Sequence, residues 1–307
     1  MKHLAFFGFT DNPFRMTPDR DFYFPSANHT AIGEVIRFGI QQGDGFIIII
    51  GEVGTGKTML LRHLMGELAE TYEIALLLSP QLTPKQLLMA ILNDIGLEDK
   101  AKSRHSLDYL LRILNDHLYE ISKTEKKLLI IIDEAQNLPD QSIEQLRLLS
   151  NFESDKQKWM QIVLVGQPEL REKIHQSDLR QLLQRVSILE NLDPLTKDEM
   201  RQYVHFRLNK AGRGDLQLDA PTSRQLYRFT GGTPRLINKL MGRALLVAYA
   251  AQKQYFDPRT IKEAATSLHL KSVTSGWTPF RIGLLATASI ALVLLAWTIS
   301  TSGIVLD

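Results

Sequence analysis

Residues 45–60 read GFIIIIGEVGTGKTML. Four consecutive isoleucines with no polar alternation suit a strand covered on both faces, because β-branched side chains pack well on a pleated surface. The strand runs straight into G-x-x-x-x-G-K-T, with Gly51, Gly56, Lys57 and Thr58 at the fixed places. Small residues let successive backbone N–H groups turn inward around phosphate oxygens, and the helix that follows presents its positive end to the same anion. An ammonium at Lys57 can reach the outer phosphates, and a hydroxyl at Thr58 can join a Mg²⁺ shell. Leu60, Leu61, Leu64 and Leu68 give the next segment an apolar helical face. The loop Gly51, Glu52, Val53, Gly54, Thr55, Gly56, Lys57, Thr58 and Met59 is therefore the expected nucleotide-binding stretch, and the chain must be an α/β protein to hold it.

Four more short apolar runs read as buried strands: Ile74–Leu78, Leu128–Ile132, Ile162–Val165 and Val186–Leu189. Helical patterns separate them. Thr83-Pro84-Lys85-Gln86 opens one, with a capping hydroxyl, proline at the first helical position and glutamine at the third. Strands alternating with helices imply a parallel sheet with helices on both faces. The run LLIIIDE (128–134) delivers Asp133 and Glu134 at the carboxyl edge of that sheet, where ligands bind in open α/β folds. Asp133 can complete a Mg²⁺ shell with Thr58, and Glu134 can polarise an attacking water. Gln167, just past the strand 162–165, is either a γ-phosphate sensor or a loop amide. Arg235, in GGTPR (231–235), opens a helix, where a cation is unfavourable without an anionic partner.

After Asp193 the strands stop. Thr196 with Glu199 opens a helix that Gly212 ends, Thr233-Pro234 opens another, and Asp257-Pro258 a last one. The expected domains are an aromatic N-terminal segment (1–44), an αβα core (45–190), a small helical domain (191–270), a linker (271–281), a membrane helix (282–299) and a short tail (300–307). Between Ile282 and Leu306 there is no charged residue. The apolar stretch 282–299 would be about 27 Å long as a helix, near the ~30 Å of a bilayer's hydrocarbon core. Trp277 and Trp297 sit near its ends, and Lys271 and Arg281 precede it, so residues 1–280 are expected on the cytoplasmic side. No secretory leader is expected, since polar residues Asp11, Arg15 and Asp19 follow the first apolar stretch at once.

The chain contains no cysteine, which removes disulfides, thiol nucleophiles and thiolate-bound metal. A net charge of +2 demands no nucleic-acid partner.

Taken together, residues 6–29 (FFGFTDNPFRMTPDRDFYFPSANH), 45–58, 128–138 (LLIIIDEAQNL), 164–170 (LVGQPEL), 179–186 (LRQLLQRV) and 231–238 (GGTPRLIN) resemble an AAA+ ATPase of the general secretion pathway protein A type. The resemblance implies a P-loop αβα sandwich with a five-stranded parallel sheet and a helical lid, ATP and Mg²⁺ as ligands, and ATP hydrolysis. It makes Gln167 the sensor on the fourth strand, Arg235 the sensor arginine of the lid, and Arg185 (or Arg180) a finger reaching a neighbouring subunit's γ-phosphate. Adenine is expected near Pro13, Phe14 and Phe24, with His29 either a local cap or a base contact. It implies a homo-oligomer, anchored in the cytoplasmic membrane, working with an envelope secretion, pilus-type or exopolysaccharide system. Longer family members carry a peptidoglycan-binding domain after the span; the sequence to Asp307 holds none, so direct wall binding is not expected of it. Two other readings remain: an ATP-dependent scaffold or switch with slow turnover, and a DNA-linked transposition regulator, which the apolar span and small charge disfavour.

Overall fold

The structure, a computed structural model, describes residues 2–78, 81–102, 104–124, 126–152, 158–176 and 179–273. The linker past residue 273 and the apolar stretch 282–299 lie outside the described residues. Among those described, no helix is long and apolar enough to cross a membrane.

Five parallel strands form one sheet: β1 (Phe46–Ile50), β2 (Tyr72–Leu78), β3 (Lys127–Asp133), β4 (Met160–Gly166) and β5 (Val186–Asn191), in the spatial order β2-β3-β4-β1-β5. Each expected apolar run is a strand, and the four after β1 extend one or two residues further at an end where backbone pairing continues past the apolar side chains. The isoleucine run is explained by what covers it. Successive side chains of a strand point to opposite faces. Ile47 and Ile49 pack with Leu129, Ile131 and Val163 under α2 (Ala27–Gln42) and α3 (Lys57–Leu68). Phe46, Ile48 and Ile50 pack with Leu128, Ile130 and Ile132 under α4 (Pro84–Asp94), α5 (Leu107–Ser122) and α6 (Asp140–Leu149). Both faces are covered, so apolar residues suit both; the buried Gln161 on β4 is accommodated by donating to the Ile40 and Asp44 carbonyls. Thr83 and Gln86 cap α4 reciprocally, side chain to backbone in each direction.

Two short helices, α7 (Pro168–Ile174) and α8 (Arg180–Leu183), lead from β4 to β5. Beyond Asn191 come four lid helices: α9 (Lys197–Lys210), α10 (Ala220–Thr230), α11 (Pro234–Ala250) and α12 (Pro258–Ser267). They enclose a second core around Met200, Leu226, Leu240 and Met241. The N-terminal 44 residues divide between the two bodies. Helix α1 (Lys2–Phe7) and the segment after it send Phe7, Phe9 and Phe14 into the lid core, with Phe7 stacked on Phe256 at 6.0 Å. Helix α2 packs on the sheet. It shows little in a linear reading because its apolar residues, Ile32, Ile36 and Ile40, form a narrow stripe.

The lid closes onto the start of its own chain at a backbone crossing between Leu195 and Gly232. The Leu195 N–H donates to the Gly232 carbonyl at 3.0 Å. Gly232 has φ +81°, and a Cβ there would sit 1.9 Å from the Leu195 carbonyl oxygen, a backbone atom that cannot swing away. Gly232→Ala is therefore expected to destabilise the protein by about 2–4 kcal/mol, the sum of a left-handed backbone penalty and an overpacked contact. A denaturant-unfolding midpoint equal to that of the parent chain would show that this crossing is not tight.

Candidate functional site

The carboxyl edge of the sheet and the lid bound a cavity of about 380 Å³. Its floor is the loop from Val53 to Met59, with Glu134 on one side. The aromatic segment supplies Pro18, Phe22, Tyr23 and Phe24, and the lid supplies Leu195, Tyr203, Arg207, Arg235 and Asn238.

The loop is pinned where β1 ends. Gly51 N–H donates to the Gly166 carbonyl at 3.1 Å, and a Cβ at Gly51 would lie 2.7 Å from the Leu192 carbonyl oxygen. Lys57 is nearly fully buried, and its Nζ donates to the carbonyls of Gly51 at 2.6 Å and Glu52 at 3.0 Å. Burial pulls its pKa below the ordinary lysine value, opposed by the carboxylates of Glu134, Asp133, Glu52 and Glu169. Thr58 Oγ1 donates to Asp133 Oδ2 at 2.7 Å, which joins the first turn of α3 to the end of β3. One hydroxyl beside one carboxylate fits a magnesium ion, which keeps most of its shell as water and substrate oxygen.

Glu134 follows on a left-handed backbone, φ +53°, an uncommon conformation for a residue with a side chain. Its N–H donates to Asp133 Oδ1 at 2.9 Å. Two amides hold one of its carboxylate oxygens: Gln136 Nε2 at 2.6 Å and Gln167 Nε2 at 2.8 Å, both on Oε2. The Gln167 backbone N–H in turn donates to Gln136 Oε1 at 3.2 Å, closing a ring of three residues across the ends of β3 and β4. Partial burial alone would raise the Glu134 pKa. The hydrogen bonds from Gln167 and Gln136, with the charges of Lys57 and Arg235, outweigh it and leave the value lowered.

Arg235 enters from the lid. Its backbone N–H donates to the Gly54 carbonyl at 3.2 Å. The two residues touch so closely that a Cβ on Gly54 would lie 2.4 Å from the Arg235 Cβ. On the other side of the loop, a Cβ on Gly56 would lie 2.6 Å from His29 Nε2. Both glycines thus give room for neighbours as well as for an anion.

Residues 40–174 match the AAA domain family. This part of the chain is an AAA domain. The chain is 40% identical to the general secretion pathway protein A of Aeromonas hydrophila over 249 residues, which are 81% of this chain and 45% of that protein. The chain thus spans less than half the length of that relative. The fold is also that of the Aeropyrum pernix ORC2 protein in its ADPNP–ADP complexes, with a TM-score of 0.61 at 17% identity over 89% of this chain and 74% of that one. It resembles the Thermotoga maritima RuvB Holliday junction branch migration motor too, at 0.52 and 18% identity over 83% and 73% of the two chains. At such identities these two comparisons speak to the P-loop AAA+ fold alone.

The sites named from sequence fall into three groups. Lys57, Thr58, Glu134 and Arg235 line the cavity, while Asp133 and Gln167 are bonded to residues that do. Gly51 and Glu52 face a second, smaller depression with Arg171 and Asn191. Arg185 does not line the cavity. Its guanidinium donates to the Arg147 carbonyl, Ser150 Oγ and Asn151 Oδ1 at 3.2, 2.8 and 2.5 Å, bracing the carboxyl end of α6. Arg180 is exposed on α8.

Of the three residues expected near adenine, Phe24 lines the cavity and two do not. Phe14 is consumed by the lid core, and Pro13 offers only its carbonyl, which accepts from Arg207 Nε at 2.5 Å. Sequence reasoning passed over Gln136, Tyr203, Arg207 and Asn238. Arg207 is nearly fully buried, bonded to the Tyr203 hydroxyl at 2.7 Å and lying over the Phe22 ring at 4.8 Å; Tyr203 in turn donates to Asn238 Oδ1 at 2.9 Å. An arginine on the apolar stripe of a lid helix was the available signal. Tyr23 was missed as well. Burial, then Glu67, push its phenol up to about 12, so it stays neutral.

The ring around Glu134 makes a pH prediction. Its pKa is below the ordinary value in the fold, so its contribution to stability is present above the unfolded pKa and fades as pH falls through the folded one. Replacing Gln136 and Gln167 together by leucine removes the two opposing hydrogen bonds and leaves burial. The Glu134 pKa should then rise above the parent's, as carboxyl ¹³C NMR titration would read; an unmoved titration would mean the amides do not hold the charge.

Proposed function

We propose that the protein is a Mg²⁺-dependent ATPase that couples ATP binding and hydrolysis to an envelope secretion or related export system. The observation that carries this reading is the convergence of Lys57, the Thr58–Asp133 pair, Glu134 and Arg235 on one cavity at the carboxyl edge of a parallel sheet. The cradle fits a triphosphate: the loop is thinned by Gly54 and Gly56, it opens onto the N-terminus of α3, and it holds a buried cation. The nucleoside has an aromatic-lined space between residues 16–24 and the lid.

In this reading Lys57 and the amides of residues 53–59 hold the phosphates. Thr58 and Asp133 would hold Mg²⁺, which when bound neutralises phosphate charge. Glu134, with Oε2 held by Gln136 and Gln167, accepts a proton from the attacking water at Oε1. Arg235 stabilises charge at the outer phosphate from the lid side, so hydrolysis weakens the tie between the two bodies. A neighbouring copy's Arg185 would meet the same phosphate across an interface, after giving up its local bonds at the end of α6. The secretion link rests on the likeness to the Aeromonas protein. Anchoring in the cytoplasmic membrane rests on the uncharged stretch 282–299.

One observation favours a slower switch as the second reading. The two amides on Oε2, with nearby Lys57 and Arg235, hold the Glu134 pKa below its ordinary value, which makes the carboxylate a weaker acceptor of a water's proton. A partner that loosens this ring would then raise turnover.

The deciding experiment is ATP turnover by the full chain as a function of its own concentration. Glu134→Gln should bind ATP as the parent does and lose about 10²–10⁴-fold in turnover, the usual worth of a general base. Arg185→Ala should flatten the rise of specific activity with protein concentration. A Glu134→Gln variant that still turns over at the parental rate would sink the hydrolytic reading.

A further inference from the structure

The first turn of α2 touches three different parts of the molecule with three consecutive residues. The Ala27 N–H, one of the four that a helix start leaves without an intrahelical acceptor, donates to Glu199 Oε1 at 3.0 Å. Asn28 Oδ1 accepts from the Asp193 N–H at 3.0 Å, in the connector between β5 and the lid. His29 Nε2 lies 3.1 Å from the Thr55 carbonyl, in the loop on the cavity floor. Ser26 Oγ caps the turn and lies 2.7 Å from His29 Nδ1.

The partners fix the protonation of His29. A carbonyl can only accept, so Nε2 carries the hydrogen, and Nδ1 is the acceptor for the Ser26 hydroxyl. The imidazole is nearly fully buried, which disfavours a second proton. It is therefore a rigid neutral spacer between a helix cap and the loop. Glu199, at the other end, closes the capping box of α9: its Oε2 accepts from the Thr196 N–H at 2.9 Å and Oγ1 at 2.8 Å, while Oε1 serves Ala27. One carboxylate thus caps two helices, one in the core and one in the lid.

We infer that His29 is a positioning residue for the phosphate-binding loop, and that the turn 26–29 links the state of that loop to the first turn of α9 in the lid. The inference rests on the nucleotide-binding reading above. A loop drawn inward around an anion carries Thr55 with it; His29 follows through its Nε2–H, and Ala27 transmits the shift to Glu199. This path is separate from the direct contact of Arg235 with Gly54, and it reaches a different lid helix.

The test uses the full chain, a non-hydrolysable ATP analogue with Mg²⁺, equilibrium binding, and hydrogen exchange read at residues 196–200. In the parent, analogue binding should slow exchange there. His29→Leu should weaken binding about tenfold, the worth of one hydrogen bond that shapes the loop, and should abolish the slowing at 196–200 even at saturation. His29→Gln, whose amide can donate from a similar place, should bind within about threefold of the parent and restore the slowing. Circular dichroism checks that both variants fold. Should His29→Leu fail to fold, Glu199→Gln carries the test from the lid side, and it should lose the slowing while binding normally. Parental binding and slowing in His29→Leu would overturn the inference and leave the function standing. So would a His29→Gln variant that folds and behaves like His29→Leu. No binding by the parent would overturn both.

Discussion

Everything at the site depends on how thin the phosphate-binding loop is. Arg235 backs onto Gly54 and His29 onto Gly56, each at a distance that leaves no room for a methyl group. Side chains at these two places would strain the turn, since φ is +83° at Gly54 and +113° at Gly56, and would also keep the loop from being gripped by the lid on one side and by α2 on the other. The glycines therefore serve contacts within the protein as much as contacts with a ligand. Lys57, buried between these neighbours, keeps its charge in company: four carboxylates oppose the effect of its burial. The site is a balance of buried opposite charges, which is affordable only because each has hydrogen-bond partners.

The sheet order follows from the same requirement. With β1 between β4 and β5, and β3 next to β4, the loop after β1 faces the ends of both strands that carry polar side chains. Gln167 ends β4 and the Asp133–Glu134 pair ends β3, and the ring through Gln136 crosses between them. Parallel pairing brings every strand's carboxyl end to one edge, so short side chains suffice to meet there.

Much of this was legible in the residues. The five strands, the loop and the carboxylate pair announce themselves because buried parallel strands are uniformly apolar and the loop's chemistry dictates its spacing. The capping pairs Thr83/Gln86 and Thr196/Glu199 were legible for the same local reason. What was not legible depends on contacts distant in sequence. That Phe14 belongs to the lid, and that Pro13 gives a carbonyl to Arg207, follows from packing between residues some two hundred positions apart. The bonds of Arg185 to the end of α6 are likewise tertiary, and no local pattern near residue 185 points to them. Gln136 hid in plain view, because an amide two residues after a glutamate shows no period and no charge.

The division of the N-terminus has a consequence for how the chain is made. Phe7, Phe9 and Phe14 precede their partners in α9, α11 and the stretch around Phe256 by some two hundred positions, so they are synthesised well before anything can cover them. Strand β1 likewise waits for β4, since Phe46 pairs with Ile162. On the ribosome, which adds about 5–20 residues per second, the aromatic segment is left with its rings uncovered for many seconds. A chain cut short within the lid would never cover them. This aromatic segment is thus a marker of unfinished copies: its rings disappear from the surface only when the lid is complete.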